Sequence, residues 1–405
     1  MGTRHVVLSL LVVLSILTFL DRLCIAVAGP RMQSELGISP QQWGWVLGAF
    51  VLAYGLFEIP TGMMGDRSGQ RSVLTRIVLW WSGFTALTGA MSGFVPLVAV
   101  RFLFGAGEAG AYPNMAGVVA RWFPPRERAR AQGYVWGASR AGGALAPLMV
   151  VPLQQAFGWR ASFWIFGFLG VIWCAVWWWW YRDDPRERGE QVHYVASVHR
   201  LDWSLLASST QLWTILLMYG SYAWGSWFYF SWLHTYLVKA RGFTEGEMAL
   251  ASSFPFVLGT ISNIGGGYLS DYACRRLGMK LGRKLVGTLC LTAAAGVLIA
   301  AAMTADKLTA ALLLAVSFGT MDLMLPSAWA ICLDIGGNHA GAVTGAMNTA
   351  GQLGGFVCTV VFGYVVAYFQ DYNAPLFLIA GMLLFAALLF SRIDATKPLF
   401  PGKES

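Results

Sequence analysis

Seven charged side chains interrupt stretches that are otherwise apolar: Arg22, Arg101 and Arg140 against Asp21, Glu58, Glu108 and Asp322. A guanidinium is charged at any working pH and offers a planar fork for a carboxylate, whereas a buried carboxyl group can take up and release a proton. Together the two types could bind an organic anion and trade protons for it. Three cations against four acids leave one negative charge in excess, so an incoming anion requires a protonated acid or an added cation. Arg101 and Glu108 stand seven residues apart, two helical turns and nearly one face, and Tyr112 continues that face. For Glu58, close to Asp66 and Arg67, a structural ion pair is the competing role.

The elements that carry these groups follow from composition. Of 405 residues, 57% are hydrophobic and 12% charged, with a mean hydropathy of +0.57; soluble domains carry about 25% charged residues. A helix needs ~20 mostly apolar residues to cross a ~30 Å hydrocarbon core. Twelve such runs fall near 5–29, 41–65, 72–93, 97–120, 130–154, 161–181, 208–236, 247–270, 285–304, 309–332, 341–368 and 375–391. The expected fold is all-α in the lipid bilayer, twelve transmembrane helices with short loops and no room for a soluble domain. Of the Lys and Arg, 20 fall on the side of the termini and five on the other, Arg31, Arg160, Lys239, Arg241 and Lys307. The positive-inside rule then puts both termini in the cytoplasm of a cell-membrane protein. Topology thus accounts for the pI of 9.3, and no nucleic-acid partner is expected.

Ala26-Val27-Ala28 mimics a signal-peptide cleavage site, but Asp21 and Arg22 interrupt the run before it, and removing it would upset the charge asymmetry. The six cysteines lack metal or disulfide spacing, so neither a metal nor a disulfide is expected. Gly105, Gly107 and Gly110 spell G-x-G-x-x-G, the spacing of a dinucleotide loop, but no strand precedes them. In a membrane helix such a ladder serves close helix packing.

The longest hydrophilic stretch begins YRDDPRERGEQ directly after WWWWY at 177–181 and separates six runs from six. The expected units are a six-helix bundle over 1–190, a cytoplasmic linker over 191–207 and a second bundle over 208–405. GMMGDRSGQR (62–71) and GYLSDYACRR (267–276) stand at equivalent places in the two halves, with Asp66 and Asp271 205 positions apart, the mark of an internal duplication. By topology Gly62, Asp66, Arg67, Arg71 and Asp271 read as a conformational latch between cytoplasmic helix ends.

The duplicated loop and the six-plus-six division resemble the major facilitator superfamily over the whole chain. Within it, FLDRLCIAVAGP (19–30), YGLFEIPTGMMGDR (54–67), RFLFGAGEAGAYPNMAGVVARWFPPRERARA (101–131) and FYFSWLHTYL (228–237) are similar to the anion:cation symporter family. That family includes hexuronate and galactonate transporters, vesicular glutamate transporters and sialin. The resemblance implies proton coupling at Asp21 and Glu108, a substrate arginine at Arg22, a span-4 arginine tied to Glu108 at Arg101, and a cavity-facing aromatic at Tyr54. Phe19 stands where many members have Tyr, His234 where Pro is expected, and Arg140 where sugar-acid carriers often have a smaller polar residue. An additional arginine suits a more highly charged or more compact acid.

All three arginines lie in the N-terminal half. Tyr112 joins them as a substrate contact, and the C-terminal half offers Tyr222, Trp224, Trp227, Asn263, Asn348 and Gln352 as polar tips and aromatic faces, with Asp322 as a third proton-coupling acid. The expected function is proton-coupled symport of a small organic anion, a carboxylate such as a sugar acid, by alternating access, without cofactor and as a monomer. A proton-driven exporter of hydrophobic or cationic compounds is the alternative, disfavoured by three arginines inside spans. An enzyme is excluded by the lack of H-E-x-x-H, of a nucleophile-base set and of a soluble domain.

Overall fold

In the computed structural model the described residues are 3–190, 208–336, 340–397 and 399, and among them there are helices and turns but no strand. Contacts divide the chain into two compact units, Met1–Ala196 and Ser197–Ser405. The expected linker at 191–207 lies outside the described residues.

The first unit contains α1 (Thr3–Leu36), α2 (Pro40–Ser68), α3 (Gln70–Thr88), α4 (Phe94–Glu108), α5 (Ala111–Trp122), α6 (Pro125–Phe157) and α7 (Trp159–Trp180). The second contains α8 (Thr210–Ser231), α9 (Leu233–Lys239), α10 (Glu245–Leu277), α11 (Met279–Met303), α12 (Lys307–Asp322), α13 (Leu325–Gly336), α14 (Ala340–Phe369) and α15 (Ala374–Phe390). Three spans are interrupted, at Ala109-Gly110, at Trp232 and at Leu323-Met324. Counting each interrupted pair as one crossing gives six spans per unit and twelve in all, as the runs predict. The interruptions are a difference from that reading, which took each span as one continuous run.

Local chemistry sets the helix ends. The Ser39 hydroxyl accepts from the Gln42 backbone N–H (3.3 Å) while the Ser39 N–H donates to the Gln42 side chain (3.0 Å), and Pro40 follows the cap. Thr244 and Glu247 repeat this box at the start of α10, 205 positions later, the offset that separates Asp66 from Asp271. Gly69, between α2 and α3, has φ +79, and Gly278, between α10 and α11, has φ +80, a conformation that favours glycine. In the first unit α1 packs along α6, α2 along α4 and α3 along α7; in the second α8 packs along α14, α10 along α12 and α11 along α15. By span number these are the same three pairings.

The glycine ladder is packing. A Cβ at Gly105 would collide with the Phe50 carbonyl, one at Gly107 with the Trp80 ring, and one at Gly110 would lie 2.8 Å from Thr61. Gly105 brings α4 against α2 at Phe50.

Candidate functional site

α1 delivers Asp21 and Arg22 side by side. The Arg22 Nε donates to Glu108 Oε1 at 3.1 Å, and Nη2 makes a second, shorter contact to the same oxygen. Glu108 is fully buried, and its other oxygen, Oε2, has no hydrogen-bond partner among the described residues. The Arg22 guanidinium lies 5.0 Å from the Phe19 ring, 5.2 Å from Phe50 and 4.9 Å from Tyr54, a box of aromatic faces that replaces water around the cation.

Arg101 is 2% exposed and packs over Phe104 (4.4 Å) and Phe50 (5.0 Å). Phe50 therefore contacts both Arg22 and Arg101. Among the described residues the direct ion pair of Glu108 is with Arg22, while Arg101 interacts with the same carboxylate through its charge without a salt bridge. Spacing along one helix told which face carries Arg101 and Glu108, but a neighbouring helix supplies the better-placed cation. Asp21, 2% exposed, has neither oxygen hydrogen-bonded. Its electrostatic neighbours are Glu108 and Arg101, and the Trp81 indole N–H faces it without reaching hydrogen-bond geometry.

One layer away, the Tyr112 and Ser15 hydroxyls meet at 3.0 Å, and Ser15 donates to the Val135 carbonyl at 2.7 Å, which leaves Tyr112 as the donor between the two. Trp136 stacks on Tyr112 with centroids 4.6 Å apart and planes at 7°. Arg140 follows Trp136 by one helical turn on nearly the same face of α6 and is half-buried.

The second unit has its own buried acid. Asp322, fully buried, ends α12 as Glu108 ends α4, each followed by a two-residue interruption. Tyr222 donates to Asp322 Oδ1 at 2.7 Å and Asn263 Nδ2 to Oδ2 at 3.1 Å. Gly259 allows this approach, since a Cβ there would lie 3.1 Å from the same oxygen. Trp224, two residues past Tyr222, points to the opposite side of α8 and does not join this cluster. Asn348 and Gln352 share one face of α14, both half-buried, and the Gln352 carbonyl oxygen has no hydrogen-bond partner among the described residues. His234 is completely buried, and neither ring nitrogen has a hydrogen-bond partner among the described residues.

Of the latch set, Gly62 lets α2 approach Pro113, where a Cβ would sit 3.0 Å away. The side chains of Asp66 and Arg67 lie outside the described residues. The Arg71 N–H donates to Asp183 Oδ1 (3.0 Å), and its guanidinium covers the Trp178 ring (4.3 Å). Asp271 lies 3.9 Å from Arg283, which also donates to Ser270 (2.7 Å) and pairs with Asp334 (3.4 Å). Sequence reasoning missed Phe50, Trp136 and Ser15. A signal existed for two of them: Phe50 precedes Tyr54 by one turn, and Trp136 precedes Arg140 by one turn.

The chain is similar to known proteins along nearly its whole length. It is 32% identical over 401 residues to the probable sulfoacetate transporter SauU of Cupriavidus necator, covering 96% of this chain and 93% of that protein. With the hexuronate transporter of Bacillus subtilis it shares 28% identity over 395 residues, 95% and 93% of the two chains. These relatives are transporters, not enzymes. The fold matches a bacterial homolog of the human lysosomal transporter Spinster, in its inward-facing occupied form, with a TM-score of 0.85 at 20% identity over 98% of this chain and 99% of that one. The profile of the Major Facilitator Superfamily matches residues 11–359, so the two six-span units belong to a member of that superfamily.

Proposed function

We propose that this protein is a secondary active transporter that carries a small organic anion together with protons, by alternating access across the cell membrane, with both termini cytoplasmic. It works as a monomer without a cofactor, protons being the coupling ion. The observation that carries this reading is the buried Arg22–Glu108 pair. Glu108 occupies the fork that an organic carboxylate would use. A proton on Glu108 removes its charge and leaves Arg22 as an uncompensated buried cation, which costs several kcal/mol. An incoming carboxylate restores the pairing. Release of the proton on the other side returns Glu108 to the fork and displaces the anion.

Asp21, beside Arg101, is the second acid in this scheme. Asp322 is the acid of the C-terminal unit, positioned by Tyr222 and Asn263. In the N-terminal unit Arg22, Arg101 and Arg140 recognise charge and Tyr54 and Tyr112 flank them; the C-terminal unit offers Tyr222, Asn348 and Gln352 as substrate contacts, while Trp224 lies on the opposite side of α8. That relatives are named for sulfoacetate, hexuronate and galactarate or D-glucarate, all organic acids, supports the anion reading. The test is uptake into liposomes driven by an imposed pH gradient, acidic outside. Accumulation of an organic acid that collapses with a protonophore supports the proposal; uptake indifferent to the gradient refutes proton coupling.

A further inference from the structure

One aromatic side chain is common to the surroundings of Arg22 and Arg101. Phe50, 2% exposed, has the Arg22 guanidinium 5.2 Å and the Arg101 guanidinium 5.0 Å from its ring centroid. Tyr54, one turn on in α2, has its ring 5.8 Å away, and Phe104 of α4 lies at 5.4 Å. The Phe50 carbonyl packs against Gly105, which stands about one turn from both Arg101 and Glu108 along α4. The backbone of Phe50 is thus anchored where α4 carries its charges, while its ring also serves the cation of α1.

The face of a phenyl ring is negative, so a desolvated guanidinium within about 6 Å of the centroid is attracted to it. An aliphatic side chain at position 50 would fill space and attract neither cation. In the proposed cycle the demand on the ring changes. While Glu108 holds Arg22 the cation is paired. Once Glu108 takes a proton, and before the substrate arrives, the faces of Phe19, Phe50 and Tyr54 still attract the guanidinium. That interval is the binding-competent state, and the apparent affinity for an acid is reduced by the fraction of protein that occupies it.

We infer that Phe50 is a positioning residue of the anion site, whose ring face holds the Arg22 and Arg101 guanidiniums in place and supports Arg22 through the step at which its carboxylate partner has been neutralised. This rests on the proton-coupled anion reading above and deepens it. The other charged and titratable groups around that step are Asp21 and Cys24 on α1, Tyr54 and Glu58 on α2 and Tyr112 on α5, with the Trp81 indole of α3 facing Asp21. A change at position 50 leaves all of them chemically intact.

The experiment places phenylalanine analogues with one, two and three ring fluorines at position 50, which weaken the negative face with little change of shape, and adds Phe50→Leu, which removes it. The trifluoro analogue in place of Phe166, a buried ring of α7, is the packing control. Each protein is reconstituted in liposomes under a pH gradient with sulfoacetate, glucuronate and D-glucarate as probes, and KM and maximal rate are read at several external pH values for each acid that wild type accumulates. The expected result is a KM that climbs with each fluorine, roughly fivefold at three, with a maximal rate unchanged within about twofold. Acidifying the outside brings KM back toward the wild-type value, because protons repopulate the competent state. Phe50→Leu raises KM at least as much as three fluorines do, and the Phe166 control matches wild type. A KM indifferent to fluorination overturns the inference, as does a rise that acid does not reverse, a maximal rate that falls with it, or an equal rise in the control; in each case proton-coupled anion transport by wild type still stands. If wild type accumulates none of the three acids under the gradient, the underlying reading falls as well.

Discussion

Glu108→Gln keeps the shape of a protonated glutamate and cannot release its proton. The expected outcome is that uptake driven by a pH gradient falls at least tenfold while counterflow exchange of substrate persists; accumulation that still follows the gradient would move the coupling to Asp21 or Asp322. Arg22→Ala loses both activities, and Arg22→Lys recovers little, because an ammonium supplies charge without the fork. Tyr222→Phe removes a 2.7 Å donor to a buried carboxylate, a loss of about 1.5–3 kcal/mol that should lower the melting temperature in detergent. The seven charges were legible from sequence because a charge inside an apolar run stands out against its neighbours. Their pairing was not. Arg101 and Glu108 share a face by spacing, yet Glu108 pairs with Arg22 from another helix, and Phe50, an unremarkable apolar residue in sequence, touches two guanidiniums. Contacts between helices leave no periodic trace.

Between helices, contact distance is set by small residues. Gly105→Ala drives a methyl group into the Phe50 carbonyl and should cost about 1–3 kcal/mol. Gly296→Ala on α11, where nothing lies within 4 Å, should shift stability by less than about 0.5 kcal/mol. Equal melting temperatures for the two variants would refute the packing account. At the far end of the second unit, Lys280 holds Asp394 at 2.8 Å and Thr396 adds hydrogen bonds, which together keep the Asp394 carboxyl below the usual carboxylate range. Its stabilisation is present above the ordinary carboxylate pKa and is lost as pH falls through the lowered one. Wild type and Asp394→Asn should therefore differ slightly in melting temperature near neutral pH, by well under roughly 1 kcal/mol for so exposed a pair, and converge in strong acid. The spans were readable from hydropathy and their entries from capping boxes. The breaks after Glu108 and Asp322 escaped because the residues in and around them stay apolar or small. Pro113 and Pro326, each in the first turn after a break where a missing N–H is harmless, were the available signal.

For the molecule as a whole, the charge asymmetry predicts that cysteines placed at either terminus or in 191–207 are protected from an impermeant reagent in intact cells; labelling there would reverse the orientation. Asp66→Ala should change the balance of inward-open and outward-open states, read by accessibility labelling, while substrate affinity changes less than about threefold; abolished binding would make the loop part of the site. The duplication was legible as an offset of 205 between Asp66 and Asp271, and the capping boxes at Ser39 and Thr244 repeat it. What the two halves do differently was less legible, since Glu108 meets a guanidinium on α1 while Asp322 meets the hydroxyl of Tyr222 and the amide of Asn263. The stacked rings of Tyr112 and Trp136 have an optical consequence. Tyrosine excitation passes to the indole at contact distance, and if the acid binds beside Arg140 as proposed, it should alter the polarity at the indole's open face and so the colour of its emission. Subtracting the spectrum of Trp136→Phe from that of wild type isolates this one chromophore from the other 18 tryptophans, so that ligand arrival can be timed in a fluorimeter without attaching a dye.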